Sequence, residues 1–326
     1  MTPTIVVAVE HDGHEPHART LELVSLAREL AAPLATDVTA VVMGAEPAGV
    51  GDVMARYVPR VLTATMGDLP DARPELKARA LAEITDALAA SIVLVPGSKG
   101  GLATSSRLAA RTRAALLEDV TSLRVEDDRL HATRLSFLSR VEQSIEASAT
   151  KAVASVKRGV APTAEPAAGT GAIEAVEGLD AATDPRVTVT AREETGVDER
   201  TSLEAADIVV TGGRGLGSAE AFERLVLPLA DALGAAVGAT RAVVDSGWRP
   251  YSEQVGQTGK SVAPRIYLAI AVSGAVQHLS GMNRSHTIVA INKDGDAPIV
   301  AQADVSVIGD AHEIVPALIE ALGSAT

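Results

Sequence analysis

Two glycine-rich polar loops in the last third of the chain carry the residue types best suited to ligand binding. The first is Gln254-Val255-Gly256-Gln257-Thr258-Gly259-Lys260, and the second, after a short apolar run, is Ser273-Gly274-Ala275-Val276-Gln277-His278. Glycine has no Cβ, so backbone N–H groups in such loops can approach an anionic or polar ligand closely. The two loops together predict a binding site for a ligand of this kind.

The second loop follows the apolar run Ile266–Val272, which predicts a β-strand. Ser273-Gly274 then turns the chain into a helix that extends through His278, and a helix start behind a strand is by geometry a site for an anion or a carbonyl group. The His278 side chain either donates to a ligand oxygen or is an ordinary histidine with protein partners. The neighbouring loop Gln254–Lys260 favours the first interpretation.

A third glycine-rich segment, Gly212–Gly217, follows the predicted strand Ile208–Thr211 and precedes a helix capped by Ser218. This is the context of a dinucleotide phosphate loop, but the spacing is not GxGxxG and no acidic residue occupies a convincing ribose position. A tight strand-to-helix turn is the alternative. Arg214 favours the phosphate loop, because a guanidinium in such a turn can pair with a phosphate through two hydrogen bonds.

Composition excludes several classes of function. No 18-residue apolar run is present, so we expect no membrane insertion, and the strand-like start Ile5–Val9 without a basic segment predicts no secretory signal and a cytoplasmic protein. The absence of cysteine excludes disulfides, thiolate iron–sulfur clusters and cysteine nucleophiles. A net charge of −13 argues against nucleic-acid binding, and only 2% aromatic residues leave arginine planes, backbone and aliphatic groups to cover a flat ligand.

The first half alternates predicted strands and helices, which indicates a parallel sheet covered on both faces. After residue 119 short β-like runs follow, with a final strand at Val187–Thr190. The alternating elements, in order, are a strand Ile5–Val9, a helix with Leu23, Leu26, Ala27 and Leu30 on one face, a strand Val38–Met43, a helix from Pro74, a strand Ile92–Val95 and a helix around Leu108–Leu116.

The second half repeats this α/β pattern after a polar stretch. We therefore predict an N-terminal α/β domain over residues 1–195, a linker over 196–204 and a C-terminal domain over 205–326. The fold class is α/β, with two domains that are each a mainly parallel sheet flanked by helices, the second one doubly wound. The predicted elements are strands at Ile208–Thr211, Thr287–Ile291 and Val305–Ile308, a helix from Ser218 to Gly234, and a last helix with Val315, Leu318, Ile319 and Leu322 on one face.

The motifs of the second half occur in an order and spacing that resembles the C-terminal, FAD-binding domain of the electron-transfer flavoprotein alpha subunit. The N-terminal half is similar to that family's first domain in layout, including the strand end at Val9-Glu10-His11 and the turn Pro96–Gly101. The matching motifs are Gly212-Gly213-Arg214-Gly215, Thr240–Asp245, Gln254–Lys260, Ser273–His278, Gly281-Met282, Ala290-Ile291-Asn292 and Ala303-Asp304.

The resemblance implies one FAD in the C-terminal domain. It places Arg214 at an FAD phosphate, Thr240 on the cofactor, Arg241 over the isoalloxazine, the Thr258 hydroxyl at N5 and His278 near the C2 carbonyl. The residues it assigns to FAD are Arg214, Thr240, Arg241, Gln254, Val255, Gly256, Gln257, Thr258, Ser273, Gly274, Ala275, Val276, Gln277, His278, Asn292 and Asp304, the last two at the ADP portion.

The resemblance also implies an electron carrier and not an enzyme. Arg241, His278 and a helix N-terminus would stabilise an anionic semiquinone, and no residue in the loops is an obvious proton-abstracting base. Single electrons would pass from flavin dehydrogenases, as in fatty acid β-oxidation, to a quinone oxidoreductase. The implied partner is a beta subunit that forms a heterodimer with this chain and binds AMP or a second FAD.

This sequence departs from the family pattern at two places. The family usually has glycine at Ala271, and it has a glycine-containing stretch where this chain has Phe137–Glu146.

An NAD-dependent oxidoreductase and a nonredox adenine-nucleotide-binding module remain alternative functions. The histidines His11, His14 and His17 could hold a surface metal, but polar residues are expected on such a connection in any case, and Glu126-Asp127-Asp128 predicts a turn.

Overall fold

The computed structural model describes residues 4–66, 73–137, 141–148, 151–179, 190, 203 and 206–323. The chain divides into two compact units, Met1–Glu193 and Glu194–Thr326. The linker predicted over residues 196–204 lies outside the described residues except for Leu203, which is buried in the core of the second unit. In the described part of the chain, no helix is both long and apolar enough to cross a bilayer.

The first unit is a nine-stranded sheet with helices on both faces. Its strands are β1 Thr4–Ala8, β2 Asp37–Gly44, β3 Arg60–Thr65, β4 Ile92–Pro96, β5 Ala115–Glu126, β6 Arg129–Ser136, β7 Val141–Ser148, β8 Ala152–Val156 and β9 Ala172–Ala175. Its helices are α1 Ala18–Leu34, α2 Ala48–Met54, α3 Pro74–Ala87 and α4 Lys99–Thr112. The strand order is β7-β6-β5-β8-β4-β1-β2-β3-β9, parallel except for the β5–β6–β7 meander.

The sequence pattern located most elements of this unit, with one error. The helix predicted to reach Leu116 ends at Thr112, because Arg113 adopts a left-handed conformation (φ +55°) and its N–H closes the last turn onto Ala109. Leu116 instead belongs to β5, which pairs with β8. The strand predicted at Val187–Thr190 lies outside the described residues apart from Thr190.

The second unit is a five-stranded, fully parallel sheet. Its strands are β10 Ile208–Gly212, β11 Ala236–Ala239, β12 Ile266–Ile270, β13 Thr287–Asn292 and β14 Val305–Ile308, in the order β11-β10-β12-β13-β14. Its helices are α5 Ala219–Leu233, α6 Arg241–Asp245, α7 Val276–Leu279, α8 Pro298–Gln302 and α9 Ala311–Gly323. This order defines a doubly wound α/β unit and confirms the predicted fold class.

Helix α5 shows how local sequence sets the frame of this unit. Ser218 begins the helix by accepting a hydrogen bond from the Ala221 N–H, and Gly234 ends it in the left-handed conformation (φ +59°). The apolar stripe that includes Phe222 and Leu229 packs with α9 on one face of the sheet. The other face is covered by a second core around Tyr267.

The strand order reverses between β10 and β12, so the chain leaves these two neighbours on opposite sides. In open α/β sheets, ligands bind in the crevice that opens at the carboxyl ends of two such strands. Gly213, directly after β10, donates its N–H to the Ile270 carbonyl at the end of β12 (2.9 Å). A Cβ on Gly213 would lie 2.1 Å from the Ala271 carbonyl oxygen, so glycine is required for this approach.

We predict that Gly213→Ala destabilises the second unit by about 3 kcal/mol, the upper end of ordinary overpacking, because the new methyl group meets backbone atoms. Gly234→Ala is the matched control: it is strained by its positive φ but meets no atom within 4 Å, so we expect a loss of about 1 kcal/mol. Urea unfolding followed by the fluorescence of Trp248, the only tryptophan of the chain, reports this unit. Equal losses in the two variants would contradict the close approach.

Candidate functional site

The carboxyl-terminal edge of the second sheet brings most of the predicted site residues together. Arg214 follows β10, Thr240 and Arg241 follow β11, Ser273–His278 follow β12, and Asn292 ends β13. The loop Gln254–Lys260 joins this edge, because the Val255 N–H donates to the Ala239 carbonyl at the end of β11 (3.0 Å). Segments that are distant in sequence therefore meet at one edge of the sheet.

The two glycine-rich loops contact each other directly. The Gln257 N–H donates to the Gln277 carbonyl (2.8 Å), and a Cβ on Gly281 would lie 2.5 Å from the Gly256 Cα atom. Within the first loop, the Gln254 side-chain amide donates to the Thr258 hydroxyl (2.9 Å), and the Tyr251 hydroxyl donates to the Thr258 carbonyl. The two loops are thus joined by backbone contacts, and the first is held together by its own side chains.

Two arginines at this edge are exposed, and neither forms a buried ion pair within the described residues. Arg214 is exposed at the start of a short 3-10 turn and has no hydrogen bond or ion pair with the rest of the described chain. Arg241 begins α6 and pairs with Asp245 at 3.3 Å, but its side chain is 68% exposed. An ion pair this exposed contributes little, so exchanging it for a ligand anion costs little.

Thr240 lies directly before Arg241, at the N-cap position of α6, but its hydroxyl makes no capping bond. Its backbone N–H donates to the Gly212 carbonyl (3.2 Å), which ties the end of β11 to the end of β10. The Thr240 hydroxyl and the two arginines are therefore available to a polar ligand.

The turn after β12 is strained at one residue. Ala271 adopts a left-handed conformation (φ +52°), which costs a residue with a Cβ about 1 kcal/mol and which glycine adopts freely. This is the position where the resemblance led us to expect glycine. The following helix begins later than predicted: α7 spans only Val276–Leu279, so Ser273 and Gly274 belong to the turn.

Gly274 has a positive φ (+80°) and a close neighbour. A Cβ on this residue would lie 2.3 Å from the Ile299 backbone nitrogen. The Ile299 N–H donates to the Ser273 carbonyl (3.2 Å), so the turn is anchored to α8. The Ser273 side chain has no partner in the described part of the chain, which leaves its hydroxyl to the crevice.

His278 is buried between two protein partners. The residue is 6% exposed; Nδ1 lies 3.1 Å from the Val255 carbonyl oxygen and Nε2 lies 2.9 Å from the Tyr267 hydroxyl. A carbonyl only accepts, so Nδ1 carries the proton and Nε2 accepts from Tyr267. Burial lowers the pKa of His278 to about 4. The neutral ring therefore has no N–H left for a ligand oxygen in this arrangement.

Asn292 and Asp304 have different placements. Asn292 is buried at the carboxyl end of β13, where its amide donates to the Val272 carbonyl (2.7 Å) and its oxygen accepts from the Asp294 N–H (3.0 Å). Asp304 precedes β14 and accepts from the Ile288 N–H (2.8 Å) at the start of β13. It therefore lies at the amino-terminal edge, and the structure does not bring it to the other site residues.

One acidic residue that the structure places at the carboxyl-terminal edge, and that our sequence analysis missed, is Asp310. It follows β14, and its carboxylate accepts from the His312 N–H (2.8 Å) in the first turn of α9. A short polar residue between a strand and a helix is the signal of an N-cap, and it would have pointed to this position.

The structure also describes the histidine cluster and the acidic cluster that the sequence analysis named. Both ring nitrogens of His11 have protein partners, the Met43 carbonyl (3.0 Å) and the Gly13 N–H (3.1 Å). Among the described residues, no group of three or more histidine, aspartate or glutamate residues is arranged to hold a metal ion. Asp127 and Asp128 form the predicted turn, between β5 and β6, with φ of +49° and +58°.

Two depressions in the first unit, of about 420 and 540 Å³, flank Arg28 and Tyr57. They lie at the amino-terminal ends of β2 and β3, away from the carboxyl ends where ligands bind in such sheets. The Arg28 guanidinium is already hydrogen-bonded to the carbonyls of Tyr57 (2.6 Å) and Glu165 (3.2 Å). We therefore assign the depressions no function.

Comparison with known proteins assigns both units of the chain to described families. Residues 5–181 match the family described as "Electron transfer flavoprotein domain", and residues 202–283 match the one described as "Electron transfer flavoprotein FAD-binding domain". The first match alone covers more than half of the chain.

Curated relatives agree with these matches. "Electron transfer flavoprotein subunit alpha" of Mycobacterium tuberculosis (strain ATCC 25618 / H37Rv) is 41% identical over 319 residues, 98% of this chain and 98% of that protein. The protein of the same name from Mycobacterium leprae is 42% identical over 242 residues, 74% of each chain. "Probable electron transfer flavoprotein subunit alpha, mitochondrial" of Caenorhabditis elegans is 36% identical over 324 residues, 99% of this chain and 94% of that protein.

The buried neutral state of His278 predicts a specific pH dependence of stability. Its pKa is about 4 in the folded chain and about 6.5 when unfolded. The unfolded state therefore binds more protons between these values, and stability falls as the pH falls through that window. From about pH 7 to about pH 5, the loss due to this group is about 2 kcal/mol.

We expect His278→Gln, which cannot take up a proton in this range, to lose correspondingly less stability between the two pH values. Urea unfolding followed by Trp248 fluorescence at both pH values measures the difference. If the variant and the wild type lose the same free energy, His278 is not the buried neutral group that the structure indicates.

Proposed function

The chain belongs to the family of electron-transfer flavoprotein alpha subunits, and from this premise we propose that it binds one FAD along the carboxyl-terminal edge of its second sheet. One observation carries the proposal: two loops with required glycines and two exposed arginines lie at one strand reversal. Arg214 has no partner in the described part of the chain, and Arg241 has only an exposed ion pair with Asp245. Backbone N–H groups and guanidinium groups are the donors that suit a pyrophosphate.

The residues at this edge divide into groups that hold the cofactor and groups that hold the loops. Arg214 would bind a phosphate, Thr240 and Ser273 would offer their unused hydroxyls, and Arg241 would lie over the ring system. Gln254 and the glycines keep the loop backbone in place. When bound, FAD supplies the one-electron chemistry.

The loops favour a carrier over an enzyme that turns over a substrate. A general base must have a free acceptor within reach of the proton it removes. In the described part of the site, His278 is neutral, but the lone pair of its Nε2 already accepts from the Tyr267 hydroxyl. The Thr258 hydroxyl accepts from the Gln254 amide. Cationic Arg241 instead favours negative charge on a bound group without moving a proton.

The family membership also supports a partner subunit. We propose that the N-terminal domain predicted over residues 1–195 contacts a beta subunit that carries AMP or a second FAD. The electron donors would be flavin dehydrogenases and the acceptor a quinone oxidoreductase. The relatives are named as alpha subunits, which supports a heterodimer.

We predict distinct effects for the two arginines. Arg214→Ala should weaken FAD binding roughly tenfold or more, because a charge-assisted hydrogen bond is lost. Arg241→Ala should retain FAD better, but accumulate much less one-electron-reduced protein during dithionite titration of the complex co-expressed with its beta subunit. Arg265→Ala is the matched control, since Arg265 is exposed at the amino-terminal edge, directly before β12.

Absorbance spectra and the FAD content of the purified complexes measure these effects. A colourless wild-type complex that cannot be reconstituted with FAD would overturn the proposed function. A loss of FAD in Arg265→Ala equal to that in Arg214→Ala would overturn the proposed location of the site.

The two aspartates provide a second test of the location. We predict that Asp310→Ser weakens FAD binding, since serine preserves the helix cap but removes a carboxylate that would accept from a cofactor hydroxyl. Asp304→Ser should leave FAD binding unchanged and lower stability by about 1 kcal/mol through its lost hydrogen bond to Ile288. Equilibrium FAD titration and urea unfolding separate the two effects; the reverse pattern would return Asp304 to the site.

A further inference from the structure

Three buried side chains on one face of the second sheet form a connected series. His278 and Tyr267 share the hydrogen bond between Nε2 and the phenol hydroxyl, and Tyr267 is fully buried. Thr211 is also fully buried, on the neighbouring strand β10, where it pairs with Ala269 of β12 while Tyr267 pairs with Val209. Residues two apart on a strand share a face, so Thr211 lies diagonally beside Tyr267.

The Thr211 hydroxyl has unused hydrogen-bonding capacity. It makes no hydrogen bond of normal length and angle within the described part of the chain, yet it lies close enough to the Tyr267 hydroxyl to act on the pKa of that phenol. Gly238, its partner on β11, provides the space: a Cβ there would lie 2.3 Å from the Thr211 hydroxyl oxygen. A buried hydroxyl without a partner is costly, and one in a native core calls for an explanation.

A hydroxyl partner suits both protonation states of a histidine. It donates to Nε2 of the neutral ring and accepts from Nε2–H of the protonated ring, but in the second case its own proton needs another acceptor. Thr211 is placed to be that acceptor. Tyr267 is the one titratable side chain in contact with His278 within the described residues; the loop before β12 contributes only the Val255 carbonyl.

We propose that Tyr267 and Thr211 are positioning residues that act through His278, as a buried hydroxyl relay that gives Nε2 a hydrogen-bond partner in both protonation states of the ring. The inference rests on the proposed function, because negative charge on a cofactor beside α7 is what would draw a proton to His278. With negative charge on a bound cofactor, one proton from solvent would bind Nε2; Tyr267 would then accept from Nε2–H and turn its own O–H toward Thr211. No proton is transferred to the cofactor.

The first test uses the FAD-loaded protein co-expressed with its beta subunit. The potential of its first one-electron step should fall by about 59 mV for each tenfold decrease in proton concentration, as expected when one proton accompanies one electron. Thr211→Val, which keeps the side-chain volume but has no acceptor, should abolish most of this dependence, and Thr211→Ser should retain it.

Unfolding separates this effect from structural damage. Because the Thr211 hydroxyl has no partner in the neutral state, Thr211→Val should unfold in urea at the wild-type midpoint or above it. Tyr267→Phe should both flatten the pH dependence and lower the midpoint, since it leaves Nε2 without a donor. A wild-type potential independent of pH, or a Thr211→Val protein with the wild-type dependence, would overturn the proposal.

The second test needs no cofactor. In the histidine-¹⁵N-labelled chain without FAD, NMR at neutral pH should show His278 with a protonated Nδ1 and an unprotonated Nε2. Tyr267→Phe should shift the Nε2 signal toward that of a free acceptor, and Thr211→Val should leave it unchanged. A protonated Nε2 in the wild type, or no shift in Tyr267→Phe, would overturn the relay even if the chain failed to bind FAD.

Discussion

The backbone contact between Gly213 and the turn after β12 is the constraint on which the second unit's site depends. It fixes the distance between the ends of β10 and β12, where a Cβ would collide with the Ala271 carbonyl. The chain must then turn sharply at Ala271. The left-handed backbone conformation of this residue carries the conformational cost of the turn. Hydrogen bonds tie the neighbouring segments to these two strand ends. On one side the Thr240 N–H donates to the Gly212 carbonyl, and on the other the Ile299 N–H donates to the Ser273 carbonyl.

Most polar groups around this contact are occupied within the protein itself. The amides of Gln254 and Asn292 hold loops, and His278 is held by Val255 and Tyr267. A surface built this way keeps its shape before a ligand arrives, so binding does not have to order the loops. What remains unsatisfied is cationic or hydroxylic and lies on the outside, which matches a ligand with phosphates.

The sequence predicted the parallel sheets, the Ser218 cap and the glycine loops, because these depend on local spacing and on residue types with narrow backbone preferences. It did not predict the partners of His278, since a hydrogen bond to Tyr267 depends on how α7 packs on the sheet. The position of Asp304 was available in principle: in a parallel sheet, a residue that precedes a strand lies at the edge opposite to one that follows it.

The first unit contains the same topological feature, with the reversal between β1 and β4, but closes it with its own side chain. Ser98 caps α4 by accepting from the Gly101 N–H, and its hydroxyl in turn donates to the Glu10 carboxylate from the end of β1. A carboxylate at a helix N-terminus takes the position that a phosphate would otherwise occupy. In the second unit the corresponding strand, β10, is followed by Gly213 and Arg214. Glu10 therefore argues against a nonredox nucleotide-binding role for the first unit. The same attraction of a helix N-terminus for an anion is satisfied there by a carboxylate of the protein, whereas the strand end of the second unit offers its donors to a ligand anion.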